Sequence, residues 1–214
     1  MKTMLYIVLV VSTICSCNSQ HKKKRYKMME SFDIEVFDKN KNAMNEYIYQ
    51  LNDDTVVKQQ ELSECYYSFL KEKKNLFEYV YEYRKDGVLK SSFRSFPNDF
   101  IAGILREYDE KGILVKEEDL EKPFVYSWED IQNYLFNHKV ENIQEQVVRI
   151  SRWSDEEATT WTLDFYGEYD DVKGRFVVLL NGITGEELEV KMFKGKGVVG
   201  KTGTKAVYDV LYKK

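Results

Sequence analysis

The stretch GILREYDEKGILVKE (residues 103–117) contains the clearest fold signal in the chain. It reads as a short strand, a turn at Gly112 and a second strand. Glycine suits such a turn because it adopts positive φ angles without a steric penalty. The stretch therefore predicts a β-hairpin, and similar patterns occur upstream of it.

The hairpin pattern is repeated. In its two clearest copies an aromatic residue precedes a glycine by four positions, and a leucine follows the glycine by two. These copies are Tyr83-Gly87-Leu89 and Tyr108-Gly112-Leu114. A degenerate third copy at residues 51–58 has Thr55 at the glycine position. Because one hairpin cannot bury a face alone, we expect the copies to lie side by side in one sheet.

The best copy resembles the MORN-variant repeat of bacterial antitoxin-like repeat proteins. The residues that carry the resemblance are Gly103, Ile104, Glu107-Tyr108-Asp109, Gly112, Leu114 and Lys116-Glu117. Residues 79–93 and 45–62 match the repeat less closely. The resemblance implies a meandering antiparallel sheet that serves as a scaffold and has no known active site.

Alternating patterns predict further strands in the first half of the chain. We expect them at residues 32–37, 46–51, 55–58, 77–83 and 88–93. Residues 61–72 fit either a helix or a strand, and strand or irregular structure is preferred. Asp86-Gly87 predicts the turn between the last two strands.

A helix is predicted after Pro123. Ser127 is expected to cap it, with Asp130 at the third helical position and an acidic first turn. Trp128, Ile131 and Leu135 share one face of this helix, and His138 is expected to end it.

Strands follow this helix. They are predicted at residues 146–150, 160–166, 175–180, 186–193 and 206–212, with turn glycines at Gly182 and Gly185. One helix followed by antiparallel strands is an α+β unit. Residues 177–182 and 184–188, with Arg149 and Trp161, resemble the PepSY-like fold. That resemblance implies a small exported or membrane-tethered module that binds or restrains partner proteins.

The predicted fold is therefore α+β and β-rich. An antiparallel meander of repeated hairpins is followed by a helix packed on a four- to five-stranded antiparallel sheet. The predicted divisions are a signal peptide at 1–17, a basic tether at 18–30, the hairpin region at 31–125 and the PepSY-like region at 126–214.

The first seventeen residues are typical of a secretory signal peptide. A basic start at Lys2 precedes an apolar run at residues 4–14, which is too short to span a bilayer as a helix. Residues 14–17 (Ile-Cys-Ser-Cys) resemble the bacterial lipobox, whose final cysteine is lipidated. Cys17 is the predicted lipid attachment site. Cys15 is the alternative acceptor, and an ordinary secretory signal without lipidation is the alternative for the segment.

A basic segment follows the predicted lipid site. Its positive residues are Lys22, Lys23, Lys24, Arg25 and Lys27. Such residues attract anionic headgroups by about 1 kcal/mol each near a membrane surface. We expect the protein in the cell envelope, anchored by lipid to the periplasmic face of the inner or outer membrane, or at the cell surface. After cleavage Cys65 would be the sole free thiol candidate.

Residues 195–202 (GKGVVGKT) fit the phosphate-loop pattern. In such a loop Lys201 would contact the terminal phosphate and Thr202 would bind magnesium. The alternative is a glycine and lysine turn before a last strand. We prefer the turn, because twelve residues after Thr202 are too few for the helix and parallel strands of that fold.

The composition argues against several functions. A formal net charge of -4 disfavours nucleic-acid binding, and only 2 histidines disfavour a histidine-rich metal site. We predict no catalytic residue, metal or cofactor. The expected function is binding of an unknown partner protein, with inhibition or toxin neutralisation as an immunity protein its sharpest form. The alternatives are a structural or assembly scaffold of the envelope and a nucleotide-binding enzyme using residues 195–202.

Overall fold

The computed structural model describes residues 30–97, 99–143, 148–199 and 203–214. The predictions for Cys17 and for the basic tether lie outside these residues, as do those for Lys201 and Thr202. Within them the chain forms two antiparallel sheets and two helices, which confirms the predicted α+β, β-rich class. None of its described helices has the length and apolarity needed to cross a membrane.

The first sheet is a seven-stranded meander in which each strand pairs with the next along the chain. Its strands are β1 (Glu46–Asn52), β2 (Thr55–Glu61), β3 (Tyr66–Glu72), β4 (Glu78–Tyr83), β5 (Leu89–Phe96), β6 (Phe100–Tyr108) and β7 (Leu114–Asp119). The strands predicted within residues 46–93 are confirmed, and residues 66–72 of the ambiguous stretch form a strand. Cys65, just before β3, is buried and forms no disulfide within the described residues.

The two clearest hairpin copies adopt the same turn. The Gly87 N–H donates to Arg84 O at 2.9 Å, and the Gly112 N–H donates to Asp109 O at 3.0 Å. The third copy differs, because Thr55 already pairs with Asn52 in the β1–β2 ladder. The predicted turns at Gly87 and Gly112 are thus confirmed, whereas Thr55 is a strand residue.

The strand predicted at residues 32–37 is wrong. Residues Ile34–Asn40 form helix α1, and only Ser31 bridges to the sheet, at Val88. The Asp33 carboxylate caps the helix by accepting a hydrogen bond from Val36 N at 3.0 Å. The alternating pattern predicts that Val36 is buried with Phe32 and Ile34. In the helix Phe37 is buried instead and Val36 is exposed.

The second sheet has the order β12-β11-β10-β9-β8. Its strands are β8 (Arg149–Ser154), β9 (Thr159–Tyr169), β10 (Val172–Asn181), β11 (Glu187–Val199) and β12 (Gly203–Lys213). Of the strand predicted at 146–150, residues 149 and 150 belong to β8, which continues to Ser154, and residues 146 and 147 lie outside the described ranges. Gly182 and Gly185 lie between β10 and β11, where the turn was predicted. Trp161, Leu163 and Phe165 are fully buried on one face of β9, as predicted.

Helix α2 (Trp128–Asn137) packs on this second sheet. Its capping box is complete, because Ser127 and Asp130 each accept the backbone N–H of the other. Ile131 and Leu135 are buried and His138 is the C-cap, so the predicted helix is confirmed.

The phosphate-loop pattern lies in a long hairpin. Gly195–Val199 pair with Gly203–Val207 as antiparallel strands. A phosphate-binding loop must be followed by a helix whose N-terminus faces the phosphate. Here the residues that follow form β12, so the preferred turn interpretation accounts for this segment.

The two sheets share one aromatic core. Phe100 of β6 meets Trp161 of β9 edge-on, with ring centroids 5.4 Å apart. Phe77 and Phe96 of the first sheet each lie 5.3 Å from the Trp128 ring of α2. This core therefore crosses the predicted boundary near residue 125, and the sheets cannot separate without exposing large aromatic side chains.

Arg152 on β8 lies at the junction, which is the contact between the two sheets. Its guanidinium lies within 5.4 Å of the ring centroids of Phe100, Phe124 and Trp161. Its Nη1 donates to Glu121 Oε2 at 2.8 Å, and its Nη2 donates to Ile101 O at 2.7 Å. The side chain is only 6% exposed. Arg152 thus ties the second sheet to β6 and to the segment after β7.

The contacts of Arg152 predict that its substitution lowers stability strongly. We expect Arg152→Leu to lower the free energy of unfolding by about 3 kcal/mol, because the ring contacts and the paired charge are lost together. Arg149→Leu, an exposed position on the same strand, should change it by less than about 0.5 kcal/mol. Equilibrium unfolding in urea measures both. Equal effects of the two substitutions would contradict this role for Arg152.

Candidate binding cleft

One face of the first sheet carries an open cleft of about 1080 Å³. Strands β4, β5 and β6 form its floor, and β7 contributes Leu114. Residues 30–32 and the turns at Gly87 and Gly112 form its walls. The repeated hairpins therefore build this cleft, with the two turn glycines at its rim.

The strand register places the polar floor residues in two rows. Tyr81 pairs with Ser92, and Ser92 pairs with Arg106. In the next row, Tyr79 pairs with Arg94. Residues opposite each other in such ladders point to the same face of the sheet. The floor thus combines tyrosines with two arginines.

A β-bulge separates the two rows on β6. From Ser92 to Arg94, β5 advances by two residues, while its partners on β6 run from Arg106 to Ala102 and advance by four. Gly103 lies in this bulge with φ +72°. A Cβ added to Gly103 would lie 2.8 Å from Arg94 Nε and 3.3 Å from Arg94 Nη2. Glycine at this position therefore provides the space that the Arg94 side chain occupies.

The Arg94 guanidinium lies over the Phe77 ring, 5.1 Å from its centroid. This contact is a cation–π interaction, which holds the guanidinium near the ring. Arg84, Arg152 and Arg175 have hydrogen-bond acceptors. Within the described ranges, by contrast, no hydrogen bond or ion pair engages Arg94. Its donors are thus available to a ligand in the cleft.

The second floor arginine is shared with β7. Arg106 Nε lies 2.6 Å from Glu117 Oε1, and both side chains are nearly half exposed. Beside it, Tyr108 OH lies 3.5 Å from Ser92 Oγ. Arg84 Nη2 donates to Tyr108 O at 2.8 Å and thereby fixes the end of β6. This part of the floor is therefore held by polar contacts between neighbouring strands.

The cleft wall is tied to the sheet by ion pairs. Glu61 on β2 accepts hydrogen bonds from Lys85 at 2.8 Å and from Lys41 at 2.9 Å. These bonds hold the pKa of Glu61 below its usual value. Since Lys41 ends α1 and Lys85 lies in the β4–β5 turn, one carboxylate connects both to β2.

A second polar cluster anchors α2. Tyr134 and Tyr169 each donate to the Glu187 carboxylate at 2.6 Å. Burial, together with these bonds, raises the pKa of both phenols. His138 stacks between the two tyrosine rings, at 4.2 Å and 5.5 Å between centroids. Because every polar partner is internal, this cluster attaches the helix to the second sheet.

Neither the side chains of the described residues nor comparison with known proteins identifies a metal site or a family. Among the residues that the structure describes, no three His, Cys, Asp or Glu side chains are grouped to hold a metal ion. Comparison with protein-family models, curated proteins and solved structures found no match for the chain. The cleft is therefore interpreted from its own chemistry.

The turns at the cleft's rim were predicted from the sequence, whereas the cleft and its floor were not. Gly87 and Gly112 were predicted as turns and lie at the cleft walls. Gly182 and Gly185 belong to the second sheet, away from it. Arg94 was not singled out, because its importance depends on cross-strand neighbours. The sequence signal that could have found it is the extra glycine, Gly103, inside an otherwise regular strand.

Gly103→Ala provides a test of the contact with Arg94. We expect it to lower the free energy of unfolding by about 2–3 kcal/mol, because an alanine there has a strained φ and clashes with Arg94. Gly112→Ala has a similar φ of +75° but its nearest contact is Val88 Cγ1 at 3.5 Å, so it measures the φ strain alone. Chemical denaturation of each variant gives these values.

A double-mutant cycle isolates the clash. In an Arg94→Ala background, Gly103→Ala should lower the free energy of unfolding by about as much as Gly112→Ala does. If Gly103→Ala lowers the free energy of unfolding by the same amount with Arg94 present and with Arg94→Ala, Arg94 does not lie against Gly103.

Proposed function

We propose that this protein is a non-catalytic lipoprotein of the cell envelope that binds a partner protein through the cleft on its first sheet. The observation that carries the proposal is the cleft floor, where Tyr79, Tyr81, Arg94 and Arg106 lie together. Tyrosine and arginine are among the side chains enriched at protein interfaces and at their energetic centres. The cleft is open, which suits a segment of a partner protein.

The lipid anchor places this cleft near a membrane. Thirteen positions separate Cys17 from Glu30, which lines the cleft wall. That tether reaches at most about 45 Å when fully extended. The sharpest form of the proposal is an inhibitor or immunity protein that captures a delivered toxin as it arrives at the envelope.

A scaffold function is the second candidate. The last strand, β12, lies at an edge of the second sheet and exposes Val207, Val210, Leu211 and Tyr212. Edge strands with exposed apolar side chains can pair with other chains. This observation favours assembly through the second sheet, independently of the cleft.

Affinity capture tests the cleft. The full chain, tagged at its C-terminus, should recover a specific protein from envelope extracts, quantified by mass spectrometry. Tyr81→Ala should reduce recovery at least about tenfold, since truncating a central interface tyrosine costs about 2 kcal/mol or more. Tyr67→Ala, on the same sheet's opposite face, is the matched control and should recover the same protein. No partner above background, or equal recovery by both variants, would contradict the proposal.

Metabolic labelling tests the anchor. When the chain is expressed in bacteria with radiolabelled palmitate, the wild type and Cys15→Ser should be labelled, because Cys17 carries the lipid. Cys17→Ser should lose the label and leave the membrane fraction. A label that persists in Cys17→Ser would show that another residue is modified.

A further inference from the structure

The charged residues of the cleft lie in two places. Its floor carries the Arg94 and Arg106 guanidinium groups, while Glu30, Asp86 and Lys111 lie in the walls. The Asp86 carboxylate is already engaged, since it accepts the Val88 N–H at 3.0 Å. The whole chain has a formal net charge of -4. The floor of the cleft in this acidic protein thus carries two arginines, of which Arg106 is paired with Glu117.

Arg94 can receive a carboxylate. Its guanidinium lies over Phe77, 5.1 Å from the ring centroid, and the ring accepts no N–H···O hydrogen bond, so the planar set of N–H donors stays available. A carboxylate can accept two parallel N–H bonds from such an edge. Tyr79 is its cross-strand neighbour, and Tyr81 lies in the adjacent row. A guanidinium with available donors beside tyrosine side chains suits an acidic side chain on an extended segment.

Arg106 adds a second positive group in the neighbouring row. It lies near Glu117, and their near half exposure leaves the outer side of the guanidinium accessible. A guanidinium has five donors, so Arg106 can contact Glu117 and a second carboxylate together. The two floor rows thus offer two positions for acidic side chains.

We propose that the cleft binds an acidic segment of the partner protein, with an Asp or Glu carboxylate paired to Arg94 and a second acidic group near Arg106. This inference rests on the proposed protein-binding function and specifies the partner's chemistry. Long-range attraction of an acidic partner to the arginines of the cleft floor would speed association.

The test uses a displayed library of random 12-residue peptides, selected on the full chain in detergent. Peptides that bind the wild type should be enriched in Asp and Glu. Arg94→Gln and Arg106→Gln should each weaken the selected peptides about tenfold, because each removes a charge-assisted pair. Lys58→Gln, on the opposite face of the sheet, is the control and should leave binding unchanged. Circular dichroism confirms that each variant is folded.

The outcomes separate the inference from the function on which it rests. Selected peptides without acidic enrichment, whose binding still requires Tyr81, would overturn the acidic partner and keep the cleft as a protein-binding site. If Tyr81→Ala, Arg94→Gln and Arg106→Gln all leave peptide binding unchanged, both the acidic partner and the binding cleft are overturned. A selection that yields no binders has the same consequence. Acidic peptides that bind the two arginine variants and Tyr81→Ala more weakly, and bind Lys58→Gln as tightly as the wild type, would support both the acidic partner and the binding cleft.

Discussion

The structure depends on the contact between the buried Arg152 side chain and Glu121. A guanidinium enclosed by aromatic rings is costly unless its charge is paired, and Glu121 provides that pair. The same carboxylate accepts the Gly103 N–H at 2.6 Å, so the junction between the sheets reaches the bulge in β6. The bulge in turn determines where Arg94 lies. The interaction that joins the two sheets is thus connected, through one glycine, to the floor of the cleft.

This connection explains why a chain of repeated hairpins has one distinctive face. A regular meander presents similar residues on every strand, and its tyrosines pack as scaffold. The bulge at Gly103 interrupts the β5–β6 ladder and makes room for Arg94 over Phe77. An arginine with free donors beside tyrosines is a feature of recognition surfaces rather than of cores. The departure from regularity, and not the repeat itself, creates the candidate site.

Local patterns predicted most of the fold. Alternation in β4 and β9, the Asp-Gly and Lys-Gly turns and the Ser127 capping box each depend on residues close in sequence. The stretch at 32–37 was misassigned because FDIEVF alternates like a strand, while the Asp33 cap and the burial of Phe37 under tertiary packing favour a helix. Arg94 and Arg152 could not be identified in advance. Their partners lie on other strands, and their positions depend on register and on the contact between the sheets.

The central claim is that a partner protein occupies the cleft, and site-specific photo-crosslinking in living cells tests it most directly. A photoreactive phenylalanine analogue at Tyr81 lies on the cleft floor, and the same analogue at Ile48, 58% exposed on the opposite face, is the reference. The account predicts a discrete protein adduct from position 81 and none from position 48. An adduct from position 48 alone, or none from either, would contradict it.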